Sequence, residues 1–79
     1  MEAQRLLDAA PFQSDVIKVL KQAFNEAWWI VAAKIPQDRI DVTRVALAHA
    51  VIAHAIKGER DVAALTASAL DAVRRHPPR

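Results

Sequence analysis

Apolar residues recur every three or four positions along most of this chain, the period of a helix buried on one side. Plotted at 100° per residue, Val16, Val19, Leu20, Ala23, Phe24, Ala27, Ile30 and Val31 share one arc. Ile17 and Trp28 lie on its edge, and Lys18, Gln22, Asn25 and Glu26 occupy the far side. The pattern predicts a helix over about residues 15–34. Ser14 or Asp15 is the expected N-cap, and Pro36 sets the stop by driving Ile35 out of the α region.

A second long helix is predicted over about residues 39–57, with Asp38 as cap and Asp41 at N3 as a carboxylate variant of the capping box. Gly58 is placed to end it in a left-handed conformation. This helix is apolar on more than one side. Val45, Ala48, Ile52, Ala55 and Ile56 form one face, Ile40, Leu47 and Val51 another, and Ala46, Ala50 and Ala53 a strip of small residues between them. A helix apolar nearly all round is a buried one. Two neighbours within a three-helix bundle would not cover it, so the expected third neighbour is another subunit.

Asp61 caps a third helix over about residues 62–75, with Val62, Leu65, Thr66, Ala69 and Val73 as its inner stripe and Pro77 closing it. Asp71 is within reach of Arg74 or Arg75 along the same helix. A short helix over about residues 2–10 stops before Pro11 and offers only Leu6 and Leu7 as large apolar groups, so it is expected to fray. The fold class is all-α: one domain, a compact bundle of three principal helices plus a short N-terminal one, with residues 1–13 and 76–79 loosely held.

Composition supports this and narrows the chemistry. Of 79 residues, 17 are Ala and one is Gly, and Ala is the strongest helix former. A core this small is marginal. With no Cys, disulfides and the common zinc sites cannot supplement it, which again favours a homodimer. The formal charge of +2 becomes −1 once Arg74, Arg75 and Arg79 of the terminal "RRHPPR" are set aside. The body therefore lacks the basic face of a nucleic-acid binder. The N-terminal "MEAQRLLDAA" has no apolar core of a signal peptide. The longest apolar runs fall short of the ~18 residues of a membrane span. A cytoplasmic protein is expected.

Candidate chemistry is sparse. His49 and His54 are five apart, about 140° round a helix, whereas a shared metal ion calls for a spacing of four; no metal or cofactor site is expected. Two-fold symmetry could bring His54 to its mate and make an interface pH-sensitive. Ser14 and the aspartates at helix starts are accounted for by capping, and one Gly rules out a phosphate-cradling loop, so no catalytic residue is assigned and no enzyme is expected. "HAIKGERDVAAL" superficially resembles a helix-turn-helix, but Val62, Ala63, Ala64, Thr66 and Ala67 make a poor reader of base edges.

Trp29 is the sharpest lead. It sits among the polar residues of its helix, and Trp is enriched at interface hot spots. Either the N-terminal segment with Leu6, Leu7 and Phe12 folds back over it, or another chain covers it, or it simply stands exposed.

The stretch "VTRVALAHAVIAHAIKGERDVAALTASALDAV", following "AFNEAWWIVA", resembles a group of small all-helical bacterial proteins of uncharacterised function. The resemblance implies a bacterial origin and a compact helical fold, and it carries no activity. The expected function is a homodimeric protein–protein interaction or adaptor module, with Trp29, Ala46, Ala50, Ala53 and His54 as interface residues toward a second copy or an unidentified protein. The alternative is a small DNA-associated transcriptional regulator.

Overall fold

Four α-helices make up the computed structural model: α1 (Glu2–Ala9), α2 (Ser14–Ala32), α3 (Ile40–Ile56) and α4 (Val62–Arg75), with a 3-10 turn at Gln37–Arg39 ahead of α3. The structure describes the backbone of residues 2–75 and the side chains of residues 5–75; Pro77 and the rest of the "RRHPPR" tail beyond Arg75 lie outside the described residues. Among the described residues there is no strand.

The arcs read from the sequence meet in a single core. Leu20, Ala23, Phe24, Ala27 and Val31 of α2 are buried against Leu47, Ala48, Val51 and Ala55 of α3 and Leu65, Ala69 and Leu70 of α4. Each large aliphatic group taken out of water in this way is worth about 1.5–3 kcal/mol. Leu70 joins the inner face of α4, where the predicted stripe had Val73, which is only half-buried. Ile30 is 46% exposed. Packing against α3 and α4 covers an apolar stripe little more than 100° wide, and Ile30 lies outside it.

The short N-terminal helix is docked on the bundle. Leu7 is completely buried in the core, and Asp8 forms an ion pair with Lys21 that fastens α1 to α2. α1 packs on α3 as well. The third neighbour expected from another subunit is therefore supplied from within the chain: α3 is flanked by α1, α2 and α4.

Helix ends follow the sequence only in part. Asp61 does cap α4, its carboxylate accepting the Ala64 amide at 2.9 Å. Gly58 ends α3 with φ +107°; its amide donates to the Ala55 carbonyl at 3.0 Å and that of Glu59 to His54 at 3.2 Å. That is the double closure of a Schellman motif. The other two expected caps are absent. α2 starts one residue early, so Gln13 takes the cap position and makes no side-chain capping bond, while Ser14 and Asp15 lie inside the first turn. Asp38 is drawn into the 3-10 turn, leaving Arg39 at the cap of α3, again with no side-chain capping bond. α2 also ends earlier than Pro36 requires, with Ala33 as its C-cap.

Arg60, between α3 and α4, acts as a clasp. Its Nη1 donates to the Ala55 carbonyl at 2.6 Å and to that of Glu59 at 2.8 Å. Its guanidinium also stacks over the Phe12 ring, 5.2 Å from the centroid. The end of α3 is thereby joined to the turn between α1 and α2.

Candidate functional site

The two tryptophans of α2 part company as their helical positions require. Trp28 is half-buried against the core, and the Arg44 guanidinium of α3 lies 4.6 Å from its ring centroid, a cation–π distance. Trp29 is 79% exposed. With Leu7 committed to the core and Phe12 under Arg60, the expected fold-back of the N-terminal segment over Trp29 does not occur. The indole stands in a setting of exposed Gln22, Asn25 and Glu26.

α3 presents the opposite arrangement. Its only charged residue from Val42 to Ile56 is Arg44, and that one is turned inward onto Trp28. Val42, Ala46, His49, Ala53 and Ile56 succeed one another at spacings of four, three, four and three, the seam of a helix that meets another helix. Val42 is 41% and Ile56 66% exposed; His49 and Ala53 are exposed, and Ala46, with Val45 and Ile52 beside the seam, is half-buried. An open helix face made of Val, Ala and Ile with a single His is unlike the charged face of an ordinary surface helix.

The residues singled out in the sequence are thus divided. Ala46 and Ala53 belong to the open face of α3. Ala50 packs against the core, and His54 is half-buried on the flank between. Trp29 lies on another helix. Val42, His49 and Ile56 are surface residues that the sequence pattern does not single out: Ile56 falls on a face read as buried, His49 draws notice as a metal ligand, and Val42 belongs to neither face. The signal that marks them is the lack of any outward charge from 42 to 56.

Other chemistry can be placed as plainly. His49 and His54 occupy different sides of α3, and among the described residues no three His, Asp or Glu side chains converge on a metal-sized site. Thr66 is buried, its hydroxyl 3.4 Å from both the Ala23 carbonyl and Glu26 Oε2. These contacts are long for hydrogen bonds, and they turn the one polar group in the early part of α4 away from any groove it could read. Ala63 and Ala67 are what α4 exposes there. Among the described residues no helix is long and apolar enough to cross a membrane.

Compared with protein-family models, curated proteins and solved structures, the chain matches none.

Proposed function

We propose that this protein is a non-enzymatic helical interaction module, homodimeric through the outer face of α3 and presenting Trp29 on α2 to a second protein. The observation that carries the reading is the outer face of α3, uncharged over four turns although three helices of its own chain already pack around the rest of it. Exposed apolar patches of this kind mark interaction sites. Trp29 adds a second, separate contact point of the residue type most enriched at hot spots. The lack of Cys and the resemblance to small bacterial helical proteins support a bacterial cytoplasm as its setting.

Light scattering after gel filtration tests the homodimer: mass should rise from the 8.7 kDa monomer toward twice that value with concentration. A fixed monomer mass at every concentration overturns it. An affinity pull-down with the wild type beside Trp29→Ala tests the second contact, which requires a partner held by the first and lost by the variant.

A further inference from the structure

We infer that the α3 helices of two copies pair antiparallel, Ile56 and His49 of each seam resting on Ala46 and Ala53 of the other, with Val42 beyond the paired layers. This inference rests on the homodimer reading and goes on to fix its geometry. Along the seam the larger residues Val42, His49 and Ile56 alternate with the small Ala46 and Ala53. The bulky and small residues fall in separate rows, one at each kind of heptad seam position. In a parallel pair like meets like, so His49 would face His49 and Ala53 would face Ala53. Such layers alternate between overfilled and empty. In an antiparallel pair each layer joins one row to the other, so both alanines of each copy receive a bulky group.

One register satisfies the most exposed group. Setting Ile56 of each copy over Ala46 of its mate also sets His49 over Ala53, because both pairs share a midpoint at residue 51. That register covers Ile56, the most exposed apolar side chain of α3. It also lets the aligned dipoles of the two helices run in opposite senses. A single patch that contacts itself through a two-fold axis must be self-complementary, and the part of this seam from Ala46 to Ile56 is.

Area decides how strong the pair is. A specific interface at the small end of the range takes about 600 Å² from each copy. The 5104 Å² of surface spread over 79 residues is about 65 Å² each. At that average the five seam residues, Val45 and Ile52 beside them, and the rim residues Asp41 and Lys57 come to about 580 Å² per copy. The pair lies at the weak end of specific interfaces, so its assembly is concentration-dependent.

The chain has no native Cys, which makes disulfide trapping clean. His49→Cys and Ala53→Cys are prepared separately, checked for an unchanged helical melt, mixed in equal amounts and oxidised. The antiparallel register predicts that the mixed 49–53 disulfide forms at least about tenfold faster than either self-disulfide, since groups held in a complex react at effective concentrations in the mM range. Faster self-disulfides overturn it in favour of a parallel pair. A dimer by light scattering without preferred trapping overturns it in favour of another face. Monomer mass for the wild type up to about 1 mM removes the homodimer reading itself.

Discussion

The outer faces of α2 and α3 are inverses of each other. That of α2 is polar and interrupted by Trp29, with the half-exposed Ile30 at its edge; that of α3 is apolar and interrupted by one polar ring, His49. Both helices bury their inner faces in the same core, so the core does not explain the difference. A Trp on a largely polar face offers one anchor, whose surroundings stay solvated when it is free. A continuous uncharged seam offers shape along its whole length, and its cost in water falls on every turn. The first suits a contact that comes and goes. The second suits one formed between copies of the same chain.

The largest expected effect tests this contrast directly. On the proposed pairing, Ala53→Arg sets an unpartnered charge in the seam and weakens association by about 2–5 kcal/mol, read as monomer mass in light scattering. Gln22→Arg, the same charge on the α2 face, leaves mass and association unchanged. Equal behaviour of the two variants would erase the distinction between the faces.

Leu7→Ala asks whether α3 truly has a third neighbour of its own. Removal of a fully buried Leu costs about 2–5 kcal/mol, measured by urea unfolding; a loss below about 0.5 kcal/mol, the level of a surface change, would mean that α1 contributes nothing. Trp28→Ala comes next, at about 2–3 kcal/mol, short of the ~3–5 of a completely buried Trp. Its neighbour Trp29→Ala should stay within about 0.5 kcal/mol, so the same denaturant curves separate the doublet. Smaller still is the difference between helix starts. Asp61→Ala costs about 1 kcal/mol for the lost cap, while Ser14→Ala, at a start with no side-chain capping bond, stays within about 0.5 kcal/mol.

The periodic features of this fold are legible in its sequence, because a 3.6-residue repeat needs no knowledge of neighbours. The α2 arc, the separation of Trp28 from Trp29, and the closures at Gly58 and Asp61 all follow from local rules. What escaped depends on the position of another element. Ser14 and Asp38 have the right chemistry for caps, but the chain enters α2 one residue earlier and enters α3 through a 3-10 turn. Leu7 looked too isolated to be core until α1 is seen docked beside α3. The surplus apolar surface of α3 is divided: α1 takes up one portion, while Val42 and Ile56 remain outside. Counting apolar residues reveals that a helix has too many; only the packed structure tells which are left over.

The Arg60 clasp carries a consequence for how the molecule opens. α2, α3 and α4 are joined by short connections, the topology of a fast cooperative helical folder. α1 has eight residues, too few to be helical alone in water. It is held by Leu7 in the core, by the Asp8–Lys21 ion pair and, just beyond its end, by Phe12 beneath Arg60. Amide hydrogen exchange should therefore show α1 as a separate opening unit, its protection lost at a lower free energy than that of α2–α4. Arg60→Ala should lower the protection of α1, some fifty residues away in the chain, more than that of α2.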